Sequence, residues 1–384
     1  MSTYLFITWP GAGNQPPTIG IAQELADRGH QVTFAGYDEQ RLLFSQYGFR
    51  FLGLKRSSAA LTSPQPGKSG RFPVFASVMA SPTHLEEIPE LIAQRPYDAV
   101  VVDCLMFGAL AAAARAKVPV AVLVHSAPGA LMAPDGPLER LLRQPVNAVR
   151  SAAGLAPVSH LWQVWAEFPV LCTTVAELDP LAEEVPASCD FVGPVFESRS
   201  PSGWRPPWRL AEPRPMVLLS FSTGRAWDQT SRIARALTGL SGDQYHVLVT
   251  SSDSNSIPLP VPENAVVVPY VPHLEILPAV AVTVTHAGHG TVVASLAHGV
   301  PLVCLPNPFS DQPALAARVM ALGAGIALDG DSASSVEIAA AVDTVLREPS
   351  YRDAAQGIAG LIAAAPGAKN AASRLEALAE RRRI

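Results

Sequence analysis

The sequence predicts an α/β protein with two parallel-sheet domains. Short apolar runs alternate with helix-length segments through most of the 384-residue chain. A polar, proline-rich stretch divides this alternation into two series, and the length suits two hydrophobic cores better than one. Strands separated by helix-length segments require crossover connections, which give parallel sheets with helices on both faces. We therefore expect two open parallel sheets joined by a linker.

The first half contains the apolar runs that are typical of a buried parallel sheet. The glycine at position 29 ends the first predicted helix, and Asp103 follows the third predicted strand. We assign residues 1–198 to this domain. The predicted strands are 4–9, 31–36, 99–102 and 120–124, and the predicted helices are 17–28 and 109–116.

The same alternation restarts after residues 199–214, which we interpret as a linker because they are polar and rich in proline and glycine. Residues 215–384 form the second domain, and we expect its last helix to pack back on the first domain. Ligands of open α/β sheets bind beyond the carboxyl ends of the strands, so we expect the two domains to face each other across a cleft. The predicted strands are 216–220, 246–250, 266–268, 282–285 and 302–305, and the predicted helices lie near 229–239, 291–298 and 313–322.

Composition excludes several classes of protein. The formal net charge is −5 and the basic residues form no stripe, so the chain does not resemble a nucleic-acid-binding protein. The start of the chain lacks the basic and apolar regions of a secretory signal, and charges interrupt the longest apolar runs. The four cysteines are far apart and lack metal-binding spacing. We therefore expect a cytoplasmic protein with reduced cysteines, no membrane segment and no metal site.

The segment 285–291, Thr-His-Ala-Gly-His-Gly-Thr, carries the clearest chemistry. It joins an apolar strand to a helix of small residues. Glycines allow backbone N–H groups to approach an anion, and the N-terminus of a helix is partly positive. His286 can donate to a phosphate oxygen, and Thr291 can cap the helix and also offer its hydroxyl. The pattern predicts a site for a pyrophosphate, whereas His289 alone is better explained as an incidental residue of the turn.

A second polar pair follows the next predicted strand. Asp311 and Gln312 place a carboxylate and an amide on the neighbouring loop. These groups can hydrogen-bond several hydroxyls of a hexose, which a site for phosphate alone would not need. Asp311 can also act as the N-cap of the following helix. The two loops together predict a site for a sugar attached to a diphosphate.

These motifs resemble the donor-binding signature of GT-B glycosyltransferases, which have two Rossmann-like domains. The chain is most similar in this respect to the actinomycete enzymes that glycosylate macrolides, enediynes and aromatic polyketides. Further matches are Ser220-Phe221-Ser222-Thr223, Gly299-Val300-Pro301, Leu322-Gly323-Ala324-Gly325 and the segment around Val271.

The resemblance implies an inverting, metal-independent enzyme that transfers a sugar from a nucleotide diphosphate to a hydrophobic natural product in antibiotic biosynthesis. It favours a TDP-sugar over a UDP-sugar as cosubstrate, with no other cofactor, and a homodimer is a further expectation. Asp311 and Gln312 would bind the sugar. The residues implied to bind the nucleotide and its diphosphate are Ser222, Thr223, Val271, His286, Gly288, His289, Gly290 and Thr291.

The first half departs from that family at the position of the general base. Where the family has a histidine after the first strand, this sequence has Asn14, while Asp103 matches the aspartate that orients the histidine. An amide does not accept a proton at neutral pH. Three explanations remain open: Asp103 or a histidine such as His125 accepts the proton, the acceptor is acidic enough to react without help, or the protein is inactive but still binds the donor.

Other functions fit the sequence less well. The turn at 11–16, Gly-Ala-Gly-Asn-Gln-Pro, has the first two glycines of a dinucleotide fingerprint, and Asp38 stands where an acid could bind ribose, as in an NAD-dependent dehydrogenase. Pro16 replaces the third glycine, however. A nucleotide-sugar epimerase would need carboxylates against the sugar from both halves, and only Asp311 is evident. An accessory protein that activates a partner transferase is the third alternative.

Overall fold

The computed structural model describes residues 1–62, 77–208, 214–221, 229–251 and 261–381, with the side chains of 60–62 left aside. These residues form two compact units. Unit 1 consists of Met1–Glu177, Leu181–Ser198 and the chain from Ala365 onward, and unit 2 consists of Leu178–Pro180 and Arg199–Ala364. In the described part of the chain, no helix combines the length and apolar character that a membrane crossing requires.

Unit 1 contains a seven-stranded sheet in which all paired strands are parallel. Its strands in chain order are β1 (Thr3–Ile7), β2 (Gln31–Gly36), β3 (Arg50–Gly53), β4 (Ala99–Asp103), β5 (Val120–Val124), β6 (Val170–Cys172) and β7 (Cys189–Phe191). Their order across the sheet is β3-β2-β1-β4-β5-β6-β7. Strands β4 and β5 are entirely buried, which explains their continuous apolar sequences.

The helices of unit 1 connect these strands. They are α1 (Gln15–Asp27), α2 (Arg41–Gln46), α3 (Lys55–Thr62), α4 (His84–Ala93), α5 (Phe107–Ala113), α6 (Pro128–Leu131), α7 (Pro137–Ala152) and α8 (Trp162–Trp165). Helix α1 has prolines in its first turn, where a missing N–H costs little. Helix α5 is built from small residues and buried along its whole length, so it packs closely beside the sheet.

Unit 2 repeats the architecture with six parallel strands. Its strands are β8 (Met216–Ser220), β9 (His246–Thr250), β10 (Ala265–Val268), β11 (Val280–Thr285), β12 (Leu302–Cys304) and β13 (Gly325–Ala327), in the order β10-β9-β8-β11-β12-β13. Its helices are α9 (Thr230–Gly239), α10 (His273–Ile276), α11 (His289–Ala297), α12 (Gln312–Ala321), α13 (Ser335–Arg347) and α14 (Pro349–Ala364).

The last helix, α15 (Gly367–Glu380), completes the core of unit 1. Ala371, Leu375 and other apolar residues of α15 are buried in the same core cluster as strands β1 and β2. The chain enters this helix past Gly193, whose φ of 99° suits glycine and where a Cβ would lie 2.1 Å from the carbonyl oxygen of Ala365. The C-terminal helix is therefore part of the first unit's hydrophobic core.

The predicted fold class is confirmed, since both units are parallel-sheet α/β structures of the Rossmann type. All strands predicted from the sequence are present, with ends shifted by at most two residues. Strands β3, β6, β7 and β13 were not predicted, and three of them have only three residues. Such short runs show no periodicity that a sequence could reveal.

Candidate functional site

Both predicted sites lie at the switch points of their sheets. In unit 1 the strand order reverses between β1 and β4, and Asn14 follows β1 while Asp103 ends β4. In unit 2 the order reverses between β8 and β11, where Ser220 ends β8 and His286 follows β11. The connections leave such a point in opposite directions and open a crevice at the carboxyl ends of the strands. Each sheet thus provides a place for a ligand beside the predicted residues.

The turn from β11 to α11 has the geometry of an anion-binding loop. Ala287 has a left-handed backbone with φ of 63°, a strained conformation of the kind that clusters at ligand-binding loops. Helix α11 begins at His289, with Gly288 as N-cap and no side-chain cap. The N–H groups of a first helical turn have no acceptor within the helix, and this end of the dipole is positive. The predicted cap by Thr291 is wrong, because the helix begins two residues before it.

His286 is buried against this turn. A Cβ on Gly288 would lie 2.5 Å from Nε2 of His286, so the position of the ring depends on the glycine. Nδ1 of His286 lies 3.4 Å from Oγ1 of Thr285. Burial lowers the pKa of His286 to about 4, so the imidazole is neutral at pH 7 and carries one N–H. This single N–H can donate either to an anion or to the backbone oxygen of Ser220, with which the ring also interacts.

A group of hydroxyls surrounds a second histidine, His273, which belongs to the matched segment around Val271 but had no predicted role of its own. Nε2 of His273 lies 3.3 Å from Oγ1 of Thr250 and 3.4 Å from Oγ of Ser220. Oγ of Ser220 lies 3.5 Å from Oγ1 of Thr291. Burial lowers the pKa of His273 to about 4. The cluster joins the ends of β8 and β9 to the first turn of α11, and only the strand order brings these residues together.

The predicted sugar-binding pair occupies a tightly structured loop. Ser310 has φ of 70°, and Asp311 is the N-cap of α12 without a side-chain cap bond. Gln312 is buried, and its Oε1 accepts hydrogen bonds from the backbone N and the Nδ2 of Asn307, at 3.0 and 2.8 Å. Asn307 is completely buried. The amide of Gln312 is therefore fixed by two hydrogen bonds from Asn307, a residue to which the sequence analysis gave no role.

A buried arginine supports the same loop. Nη1 of Arg232 donates to Oδ1 of Asn307 at 2.5 Å, and Nε donates to the carbonyl oxygen of Gly330 at 2.8 Å. Its Nη2 forms an ion pair with Asp331. Arg232 thus places a positive charge behind the predicted sugar loop. Since Arg232 and Asn307 are 75 positions apart, no local sequence signal could have linked them.

The remaining predicted donor-site residues lie in three different places in the chain. Ser222 and Thr223 lie outside the described residues. Gly290 is in the first turn of α11, and a Cβ there would meet nothing within 4 Å. Val271 lies between β10 and α10 with its side chain buried. Its predicted use of backbone groups therefore stays a prediction.

In unit 1, Asn14 is buried at the N-terminus of α1 and joined to Asp103. Its Nδ2 lies 3.0 Å from Oδ2 of Asp103, from Oγ1 of Thr8 and from the carbonyl oxygen of Trp9. Its Oδ1 is buried without a hydrogen-bond partner among the described residues. The predicted pairing of positions 14 and 103 is therefore present, with an amide as the donor.

Asp103 accepts hydrogen bonds from four groups. Trp9 Nε1 and the backbone N of Leu105 donate to Oδ1, each at 3.0 Å, and Asn14 Nδ2 donates to Oδ2. Nδ1 of His125 lies 3.2 Å from Oδ2. Burial alone would raise the pKa of Asp103, but the charge of His125 and these hydrogen bonds lower it. The carboxylate is therefore stable in its ionised form and is a weak base.

His125 follows β5, the strand beside β4. Burial alone would lower the pKa of its imidazole, but the negative charge of Asp103 raises it well above the ordinary value. No hydrogen bond links its Nε2 to another of the residues that the structure describes. Sequence reasoning named His125 as one alternative base, and the structure places it against Asp103.

Cys104 completes this cluster. Its Sγ lies 3.7 Å from Nδ1 of His125, and one donor atom from each of Asp103, Cys104 and His125 lies within 4.8 Å of the others. Within the described ranges, this is the group that could hold a metal ion. The two oxygens of Asp103 already accept four hydrogen bonds. We therefore interpret the cluster as a group for acid–base chemistry.

Two family models match the sequence. The model described as "Erythromycin biosynthesis protein CIII-like, C-terminal domain" matches residues 235–378. The model described as "Glycosyl transferase 4-like domain" matches residues 18–167. The first match includes the loops of His286 and Gln312, and the second includes Asp103 and His125. The matched ranges thus contain most of the residues that line the two switch points.

Curated relatives and solved structures agree with these matches. The chain is 29% identical to 4'-demethylrebeccamycin synthase of Lentzea aerocolonigenes over 396 aligned residues, which cover 91% of this chain and 92% of the relative. A crystal structure of the glycotransferase of kitacinnamycin superposes with a TM-score of 0.80 at 21% identity, covering 98% and 99% of the two chains. The glycosyltransferase VinC in complex with dTDP superposes with a TM-score of 0.71 at 19% identity, covering 99% and 100%.

Proposed function

Since the chain belongs to the glycosyltransferases of the GT-B fold, we propose that it transfers a deoxysugar from a TDP-sugar to a hydrophobic natural product, with inversion at the anomeric carbon. Unit 2 binds the donor in this proposal, and unit 1 binds the acceptor. The observation that carries it is the turn from β11 to α11, where His286, Gly288 and the N-terminus of α11 meet at the switch point of the sheet.

The diphosphate would bind at the first turn of α11. Backbone N–H groups at this position attract anions through their own dipoles and that of the helix. The neutral imidazole of His286 adds one hydrogen-bond donor, and the hydroxyl of Thr291 adds another. As the bond between sugar and phosphate breaks, negative charge grows on the diphosphate. Fixed donors at that charge stabilise the transition state, which supports leaving-group departure without a metal ion.

The sugar would bind to the loop of Asp311 and Gln312. The hydrogen bonds from Asn307 fix the amide of Gln312 before the sugar arrives. A side chain that is already held in place loses little rotamer freedom on binding. This preorganisation supports recognition of sugar hydroxyls by the predicted pair. Two relatives, 4'-demethylrebeccamycin synthase and the glycotransferase of kitacinnamycin, are named for natural products, which supports an acceptor of that class.

The nucleotide in the proposal is TDP because the structural relative VinC was solved with dTDP. Titration of the purified protein with dTDP, UDP and NAD⁺ in a thermal-shift experiment tests this choice. A ligand at 100 times its Kd adds about 2.7 kcal/mol to the stability of the folded state. We expect dTDP to raise Tm by several degrees and NAD⁺ to leave it unchanged. A rise with NAD⁺ alone would contradict the proposal.

Transfer itself is tested with a TDP-sugar and a panel of hydrophobic acceptors. Mass spectrometry detects the glycoside, and the coupling constant of its anomeric proton in NMR gives the stereochemistry. We expect an inverted anomeric centre and the same rate with EDTA. Donor binding without transfer to any acceptor would support the accessory-protein alternative. The expected homodimer and cytoplasmic location stay predictions, and light scattering tests the first.

A further inference from the structure

We propose that His125, held by Asp103, accepts the proton of the acceptor hydroxyl in place of the histidine that Asn14 replaces. The inference rests on the proposed function. It assigns deprotonation of the acceptor to a residue that follows β5, whereas the family's histidine follows the first strand. The relevant contact is that between His125 Nδ1 and Asp103 Oδ2, which are 3.2 Å apart. His125 follows β5 and Asp103 ends β4, so neighbouring parallel strands bring them to the same sheet edge.

The geometry leaves one nitrogen of His125 available. Nδ1 faces Asp103, and Nε2 is on the other side of the ring with no hydrogen bond to another described residue. The side chain is 11% exposed, whereas that of Asp103 is 2% exposed. An imidazole fixed at Nδ1 by a carboxylate and accessible at Nε2 is the usual arrangement of a histidine base.

Asp103 is poorly placed to be the base itself. Both of its oxygens accept hydrogen bonds, from Trp9 and Leu105 on Oδ1 and from Asn14 and His125 on Oδ2. Hydrogen bonds to the ionised form stabilise it and weaken its affinity for a proton. Asp103 is therefore a positioning residue, and Asn14 is a second one that holds its Oδ2.

The step balances as a simple displacement. The proton of the acceptor O–H moves to Nε2 of His125, and the oxygen lone pair forms a bond to the anomeric carbon. The bond between that carbon and the β-phosphate oxygen breaks, and its electron pair leaves with the nucleoside diphosphate. His125 then releases the proton to solvent. The products are the glycoside, the nucleoside diphosphate and one proton.

The pH dependence follows from the groups that face His125. These are the carboxylate of Asp103 and the thiol of Cys104, whose own pKa is raised by burial. A base acts only when it is unprotonated, so kcat/KM should rise with pH through the pKa of His125. Because Asp103 raises that pKa, Asp103→Asn should move the acidic limb of the profile to lower pH and also reduce the maximal rate.

The first test compares His125→Gln with the wild type on a series of phenolic acceptors of decreasing pKa. Glutamine can still donate to Asp103 but cannot accept a proton. A positioned base contributes about 10²–10⁴ in rate, so we expect kcat to fall by that factor for the least acidic phenols and by less for the most acidic. The affinity for dTDP should stay within a factor of about two, because unit 2 is unchanged. His298→Gln, in unit 2, is the matched control and should retain full activity.

Two further measurements separate catalysis from folding. Adding Asn14→His to His125→Gln puts an imidazole back beside Asp103, and we expect at least about a tenfold recovery of kcat, well within the range of a positioned base. The ¹⁵N NMR titration of the His125 ring in the wild type should give a pKa above about 6.5, the ordinary value, and a lower one after Asp103→Asn.

The outcomes are distinct. If the wild type transfers sugar and His125→Gln is equally active on every phenol, the inference is wrong and the acidity of the acceptor is sufficient. If the wild type binds no nucleotide and transfers nothing, the proposed function itself is wrong. If His125→Gln is folded, binds dTDP and loses activity that Asn14→His restores, the assignment of the base is supported.

Discussion

The imidazole of His286 occupies the space in which a side chain at Gly288 would begin: a Cβ there would lie 2.5 Å from Nε2. The glycine is therefore required by its neighbour two positions earlier, apart from any backbone strain, since its φ is −65°. The ring packs on the residue that caps helix α11. The position of the imidazole and the conformation of the helix N-terminus therefore depend on each other.

Replacing Gly288 with alanine should weaken nucleotide binding more than folding. The added methyl group displaces the imidazole, and a side chain can turn away at a cost of about 1 kcal/mol, at the low end of overpacking penalties. We expect the Kd for dTDP to rise about tenfold or more, which corresponds to at least about 1.4 kcal/mol. Isothermal titration calorimetry measures the Kd, and urea unfolding measures the stability.

The matched control for Gly288→Ala is Gly357→Ala in helix α14, where a Cβ would meet nothing within 4 Å. There alanine should leave the Kd unchanged and raise stability by up to about 1 kcal/mol, since it is the better helix former. Unchanged binding by Gly288→Ala would mean that the position of His286 does not matter to the nucleotide.

Replacing Asn14 with aspartate should destabilise the protein in a pH-dependent way. Nδ2 of Asn14 lies 3.0 Å from Oδ2 of Asp103, so the variant places two carboxylates in contact. Two carboxylates that share a site cannot both ionise easily, and the pKa of one is raised. This penalty is complete at neutral pH and declines as pH falls through the raised pKa, because the protonated acid can donate to its neighbour.

Asn14→Ala separates this charge effect from the loss of hydrogen bonds. It removes the same donor without adding charge, and we expect a loss of about 1–3 kcal/mol for the unsatisfied groups left behind. That loss should vary little between pH 5 and 8, whereas the penalty of Asn14→Asp should decrease toward pH 5. Urea unfolding at several pH values measures both. Parallel pH profiles for the two variants would show that Asp103 is not ionised beside position 14.

The sequence predicts the fold well where the physics is local. Continuous apolar runs predicted β4 and β5 because both faces of these strands are buried. The glycine-rich turn before α11 was recognisable because its chemistry is contained in a few consecutive residues. The three-residue strands β6 and β7 were missed, since their pairing is determined by neighbours that are distant in sequence.

The arrangement of the site depends on contacts between distant residues. His125 and Asp103 meet because β4 and β5 are adjacent and parallel, and a single sequence does not reveal strand order. The same holds for Arg232 and Asn307, which are buried together although 75 positions separate them. The sequence therefore identified the residue types needed for the chemistry, while the sheet topology decided which of them are partners.

Replacing Asn307 with alanine should weaken binding of the sugar and leave binding of the nucleotide unchanged. Asn307 donates two hydrogen bonds to Oε1 of Gln312, and only the side-chain one is lost. The amide of Gln312 is then held by the backbone N–H alone and is less well fixed, and a recognition group that must be ordered on binding costs affinity. We expect the KM for the sugar nucleotide to rise by roughly tenfold, or about 1.4 kcal/mol, with the Kd for dTDP unchanged.

The control for this change is Asn264→Ala, which removes a buried asparagine whose Nδ2 donates to the carbonyl oxygens of Leu240 and Tyr245 in the same unit. It should lower stability and leave the KM for the donor unaffected. If Asn307→Ala increased the Kd for dTDP and the KM for the sugar nucleotide equally, the substitution would act by weakening nucleotide binding. In that event the loop of Gln312 would have no separate role in binding the sugar.

Replacing Glu376 with glutamine should loosen helix α15 only above acidic pH. Glu376 accepts from Nη1 of Arg28 at 2.7 Å and lies 2.8 Å from Nε2 of His30. Burial alone would raise the pKa of Glu376, but His30 and Arg28 lower it.

A lowered pKa gives stability that is present above the pKa of the unfolded state, about 4.3. This stability is lost as pH falls through the pKa of the folded state. We expect Glu376→Gln to cost about 0.2–1 kcal/mol at pH 7, since the pair is partly exposed, and almost nothing once the pH is below the lowered pKa of the folded state. Glu380→Gln, on the exposed end of the same helix, should show no such dependence. Urea unfolding across this pH range measures the difference, and a constant loss at all pH values would mean that the charge of Glu376 does not anchor the helix.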